Sequence, residues 1–135
     1  MCFVKNYDAE HYRVDYDHIE IDHDVQCYKI MRRYDDGDDG VLHSVPFHFP
    51  YEIGKTYESE FRDIDYLDSC YSLNEFVYHS YHDQTWAIRQ MRSLSFPESY
   101  VLVSCVIPAN TPFWYNNKFH EYASMAIKIV GIVED

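Results

Sequence analysis

Apolar positions along this chain follow two patterns, one alternating with acids and one nearly continuous. From Val14 the chain alternates, with Val14, Tyr16 and His18 on one parity and Ile19, Ile21, His23 and Val25 on the other. Acids fill the gaps. This is the period of a half-buried strand, with a break near His18–Ile19, and it predicts a strand over 14–31 whose outer face is a ladder of carboxylates. Asp35-Asp36-Gly37-Asp38-Asp39-Gly40 marks a turn, and Val41, His43, Val45, Phe47 and Phe49 alternate on the return, so a second strand over 41–49 completes a hairpin. Pro50 and Gly54 close it, and 55–57 opens another short extended piece.

Residues 72–92 carry conflicting signals. Ser72-x-x-Glu75 has the form of a capping box, which would start a helix, whereas 76–81 is rich in aromatic and β-preferring residues. The favoured assignment is a strand at 76–81, then a helix at 84–92 capped by Asp83, with Trp86, Ala87, Met91 and Gln90 setting its inner face. Tyr100 to Ile107 is an apolar run stopped by Pro108, and 125–133 is nearly continuous in apolar residues. Both are expected to be central strands buried on two faces. Between them, 111–115 forms a short extended piece that Asn116-Asn117 turns. The expected fold is a single α+β domain over 1–135, a mixed, mainly antiparallel sheet with one or two covering helices.

Charge changes the picture. The net charge is −12, and 17 acids against seven bases place −10 of it in residues 1–68. Such a surface repels nucleic acid and anionic membrane and attracts basic surfaces, so direct binding to phosphates is not expected. Asp15, Asp17, Glu20, Asp22 and Asp24 are the candidate partner-binding residues, because carboxylates spaced along a strand can stand in for phosphates against Lys and Arg. The same ladder also fits the charged edge strand that guards a sheet against aggregation. Fourteen tyrosines suit either strands or a binding surface.

Little else in the chain points to chemistry. Cys2, Cys27, Cys70 and Cys105 lie far apart, with no CxxC pair, and are expected to be free thiols, Cys27 and Cys105 as small buried hydrophobes. No signal segment opens the chain and no apolar run approaches ~20 residues, which predicts a cytoplasmic protein without a membrane span. The 35–39 acids lack the ligand spacing of a calcium loop, and the eight histidines form no metal motif. Hence no metal, cofactor or catalytic residue is assigned.

The order of residues 76–133 carries two resemblances. Val106-Ile107-Pro108-Ala109-Asn110-Thr111 followed by Glu121-Tyr122-Ala123 is similar to small uncharacterised phage and gut-bacterial proteins ending in an IPxxTxxYxN…EYxS stretch. That likeness implies a phage-type accessory or counter-defence (anti-CRISPR-like) inhibitor. Its partner would be a protein with a basic, nucleic-acid-binding surface in the host cytoplasm. More distantly, the segment resembles the C-terminal half of ADP-ribosyltransferases, where a Ser-Thr-Ser strand, an Ile-Pro-x-Gly-Thr strand end and a Glu-x-Glu turn recur. Here His79-Ser80-Tyr81 replaces Ser-Thr-Ser, Asn110 replaces the glycine, and Ala123 replaces the second glutamate. The resemblance therefore implies a degenerate domain, with His79, Ser80, Tyr81, Trp114 and Glu121 as its nucleotide pocket.

Overall fold

The computed structural model, which describes residues 3–4, 17–32, 41–44, 50–70, 72–73 and 76–133, is built around the run Tyr100–Ile107. Its strands in chain order are β1 (Phe3–Val4), β2 (Val25–Arg32), β3 (Val41–Ser44), β4 (Pro50–Glu52), β5 (Thr56–Glu58), β6 (Ser72–Leu73) and β7 (Tyr78–Tyr81). They continue with β8 (Tyr100–Ile107), β9 (Phe113–Asn116), β10 (Glu121–Ser124) and β11 (Ala126–Ile132). The helices are α1 (Ile64–Ser69) and α2 (Gln84–Arg92).

The main sheet runs β5-β11-β8-β2-β7-β10-β9, with the β3–β4 hairpin attached to the far end of β2. β1 and β6 form a separate two-stranded pair. Every ladder among the described residues is antiparallel, and none of them is the parallel pair that a mixed sheet would contain. β8 is central because its β-branched residues find a partner on β2 at every position, from Val25↔Ile107 to Arg32↔Tyr100. On one face Cys27, Met31, Val103, Cys105, Ile107, Tyr122, Ile127 and Ile129 form the largest apolar cluster, which Leu42 and Tyr51 of the hairpin complete.

The other face has two covers. Asp83 caps α2 as expected, accepting from Thr85 N at 2.8 Å and Trp86 N at 3.3 Å. The helix sets Ala87, with Trp86, Ile88 and Met91, against Leu102 and Tyr81. α1 brings Leu67 against Phe3, Leu73, Trp114, Ala123 and Met125.

Several expectations need correction. Among the described residues of 14–24, 17–24 form no strand, and β2 begins only at Val25. β11 is buried on one face only: Ile127 and Ile129 are buried while Lys128 and Val130 are exposed, because α2 lies over β2, β7 and β8. β11 is also next to the edge strand β5, not central. Ser72 belongs to β6 and starts no helix, whereas α1 had no counterpart in the expected elements. Asp15, the 35–39 turn, 45–49, Glu75 and Cys2 lie outside the described residues. Among those described, no helix is long and apolar enough to cross a membrane.

Candidate functional site: an acidic segment clasped to the sheet edge

Residues 17–24 cross the outer edge of β9 without joining the sheet. Ile19 makes one isolated antiparallel bridge to Phe113, with Ile19 N donating to Phe113 O at 2.7 Å and Phe113 N donating to Ile19 O at 3.0 Å. Two residues on, Asn110 N donates to Ile21 O at 2.7 Å, and Ala109 N donates to Asp24 Oδ1 at 2.9 Å. Asn110 supports this corner with a left-handed φ of 62°, which a short polar side chain tolerates better than a branched one. The segment thereby covers an edge strand's free backbone groups. Alternation failed to produce a strand here because Asp and Glu are poor strand formers and only Ile19 and Ile21 offer apolar surface.

A side-chain clamp secures the start of the segment. Asp68, on the last turn of α1, accepts from His18 N at 2.8 Å, and His18 Nδ1 lies 2.9 Å from its Oδ2. The indole Nε1–H of Trp114 on β9 donates to Asp68 Oδ1 at 3.0 Å. Burial by itself would raise the Asp68 carboxyl, but the hydrogen bonds from His18 and Trp114 prevail and hold it below the usual aspartate range. The far ring nitrogen of His18 sits 3.8 Å from Glu20. One carboxylate thus ties the acidic segment, α1 and β9 together.

The candidate partner-binding acids are positioned as follows. Asp17, Glu20, Asp22 and Asp24 are all exposed. Asp24 is partly committed to the Ala109 amide, and Asp22 pairs with the neighbouring His23 at 3.2 Å with both side chains largely in water, a contact worth little. Asp17, Glu20 and Asp22 therefore turn to solvent from a backbone that is pinned on both sides.

The chain matches no family model, no curated protein and no solved structure.

The proposed pocket residues divide between two faces. Glu121 pairs with Tyr81 and Ala123 with both His79 and Trp114, so His79, Tyr81, Trp114 and Glu121 share one face. Ser80, one residue off, faces the opposite cluster opposite Tyr122. Three of the four are buried, Trp114 being 1%, Tyr81 5% and Glu121 7% exposed, and His79 is half-buried; Trp114 is a core residue among Phe3, Leu67 and Leu73. Burial pushes the Glu121 carboxyl up to about 7, and its charge in turn adds to the burial that raises the Tyr81 hydroxyl.

A second group joins Lys29 to the two cysteines that the sequence marks only as small buried hydrophobes. Lys29 of β2 is buried, its ammonium lying 5.4 Å from the Tyr51 ring centre and donating to His79 O. On the same strand face stand Cys27 and, directly opposite on β8, Cys105. A lysine inside the run Cys27-Tyr28-Lys29-Ile30-Met31, at alternate spacing from a cysteine, was the available signal. The partner thiol, 78 residues away, gave none. Among the described residues, no group of three or more His, Cys, Asp or Glu is placed to hold a metal ion.

Proposed function

We propose that the protein is an acidic interaction module that presents Asp17, Glu20, Asp22 and Asp24, with Asp15 beside them in sequence, to a basic surface of a protein partner. The observation that carries this is the combination of exposed carboxylates with a backbone held at His18, Ile19, Ile21 and Asp24. A flexible acidic tail would lose entropy on binding, whereas a clasped segment has already been ordered by folding, which favours affinity and fixes the spacing of the charges. Carboxylates spaced in this way mimic nucleic-acid phosphates, so the partner class is a nucleic-acid-binding protein, such as a defence protein countered by a phage-type inhibitor. The test is capture of the partner from host lysate, identification by mass spectrometry, and affinity of the purified pair across a salt series. Wild type should lose affinity steeply with salt, and the Asp17→Lys/Asp22→Lys double reversal should slow association. Equal affinity for both proteins with a flat salt response would leave the segment as a cover for the β9 edge.

A second function, nucleotide handling by a degenerate ADP-ribosyltransferase-like domain, is favoured by one feature, the buried Glu121 with its raised carboxyl beside Tyr81. Glu121 would be the nucleotide-facing acid, and α2 or the 117–120 turn would have to move for a ligand to reach it. Calorimetric titration with a dinucleotide, comparing wild type with Glu121→Gln, separates the two functions.

A further inference from the structure

Cys27 and Cys105 are both fully buried and stand directly opposite one another on neighbouring antiparallel strands. Residues so placed have Cα atoms about 4.5–5.5 Å apart and side chains on the same face. A disulfide requires Cα atoms within about 4.4–6.8 Å, so the pair can be joined with little backbone movement. The surroundings are unusual for a thiol pair in an apolar cluster. Lys29 is the next residue but one on the same face, and the buried Ser80 hydroxyl of β7, which has no hydrogen-bond partner, belongs to the same face. Burial alone would raise the Cys27 thiol, but the neighbouring Cys105 and Ser80 side chains and the Lys29 charge bring it below its ordinary value. The neighbouring Cys27 sulfur and burial hold Cys105 well above its ordinary value, and its S–H donates to the Val103 carbonyl at 3.7 Å. The two thiols are therefore chemically unequal, one suited to attack and the other to remain protonated.

We infer that Cys27 and Cys105 are a resident dithiol which hydrogen peroxide converts to a cross-strand disulfide, with Cys27 as the attacking sulfur and Cys105 as the resolving one. The Cys27 thiolate attacks one peroxide oxygen, the O–O bond breaks, and the departing hydroxide takes up, as water, the proton that the Cys27 thiol gave up on ionising. Cys27 is then a sulfenic acid. The Cys105 sulfur attacks the Cys27 sulfur, the S–O bond breaks, and the hydroxyl departs as water with the Cys105 proton. Overall, two thiols and one peroxide give one disulfide and two waters. The sulfurs are oxidised and the peroxide is reduced.

The test uses the full chain carrying Cys2→Ser and Cys70→Ala, so that the pair are the only thiols. The folded protein is exposed to hydrogen peroxide, quenched, denatured and alkylated. Both thiols should become unavailable, the intact mass should fall by about 2 Da for the two hydrogens lost, and a reductant should restore both. Digestion should yield one linked peptide joining Cys27 to Cys105. Adding Cys105→Ala, which leaves a small apolar group in the core, should stop the reaction at a sulfenic acid on Cys27 that a dimedone-type reagent traps. Lys29→Met should slow Cys27 oxidation on the order of tenfold by lowering its thiolate fraction, a change in rate that a merely structural role for Lys29 would not produce. Two fully alkylatable thiols after oxidant treatment of folded protein would overturn the inference. So would sulfinic acid on Cys27 with Cys105 untouched. If Cys105→Ala fails to fold, the linked peptide in the two-thiol protein still decides the matter.

Discussion

β8 and the acidic segment 17–24 both carry a pattern that reads as strand, and only one of them is a strand. β8 has partners on β2 at all of its positions and further partners on β11, and its Val103, Cys105 and Ile107 are fully buried. The segment at 17–24 has one bridge, and Ile19, which makes it, remains 41% exposed. The difference lies in what the side chains do once the backbone is extended. In β8 they enter a core that exists on both sides of the strand, so burial pays for the ordering of the chain. In 17–24 every second residue is an acid or a histidine that gains nothing from a neighbouring strand. The segment is held instead by specific polar contacts, chiefly Asp68 and the 109–113 backbone.

If that contrast is right, the two regions should respond very differently to the same substitution. Ile107→Ala on β8 is expected to cost about 3 kcal/mol, since it removes a fully buried side chain and leaves a cavity. Ile19→Ala should cost less than about 1 kcal/mol, because its side chain is already 41% exposed and fills no closed core. Urea unfolding of the two variants measures both, and similar losses would mean that the segment is part of the core after all.

A carboxylate sharpens the comparison when it is moved from one environment to the other. Glu121 is buried with its carboxyl near 7, well above the ordinary 4.5. A group whose folded value is raised binds its proton more tightly in the folded state. Its favourable contribution is therefore complete below pH 4.5 and is lost as pH rises towards 7, after which it levels off. The loss should be on the order of 2 kcal/mol, allowing for screening of a site close to the surface. Glu121→Gln should remove that slope and be the more stable protein at pH 8, as urea unfolding across pH 5–8 would report. No such gain is expected from replacing Asp22, whose side chain is almost fully solvated.

Asp68 links the two regions and should give an intermediate effect. Asp68→Ala leaves the buried Trp114 indole N–H without this acceptor and releases His18, at an expected cost of about 1.5 kcal/mol. Because the Asp68 carboxyl is depressed in the folded state, its contribution is present above the ordinary aspartate range and disappears as pH falls through the lowered value. The Trp114 indole N–H resonance, followed down an acid titration, should shift with that protonation. A resonance that moves only on global unfolding would show that the clamp is not what holds the segment.

The elements legible in the sequence were those whose signal is local. The α2 cap is one residue, Asp83, reaching two amides of its own first turn, and β8 declares itself by an uninterrupted apolar run ended by Pro108. α1 was missed although Asp63 caps it, accepting from Tyr66 N, because six residues are too few for a periodic apolar face to stand out. β11 reads as doubly buried in the sequence because composition does not say how far a covering helix reaches. The candidate pocket shows a different failure. Period-two alternation already places Ser80 opposite to His79 and Tyr81, whereas the resemblance groups all five residues in one pocket. What no local pattern could supply was pairing at long range: Cys27 with Cys105, or His18 with Asp68 across 50 residues.

The smallest effect expected on folding is the most informative about function. Asp17→Lys with Asp22→Lys changes two exposed side chains and takes the net charge from −12 to −8. Exposed positions away from caps and clamps ordinarily shift stability by no more than about 0.5 kcal/mol. The sign here should be slightly favourable, because lowering a large net charge relieves self-repulsion. Asp24→Ala provides the control within the same segment. It loses the acceptor for Ala109 N and should cost about 1 kcal/mol, although it removes only one charge. Partner binding should show the reverse order, with the double reversal losing far more than Asp24→Ala, since association follows charge and not the hydrogen bond to the turn. If binding instead tracks stability, with Asp24→Ala the weaker binder, the partner reads the shape of the clasped backbone, and the exposed acids serve only to keep the β9 edge from pairing with other chains.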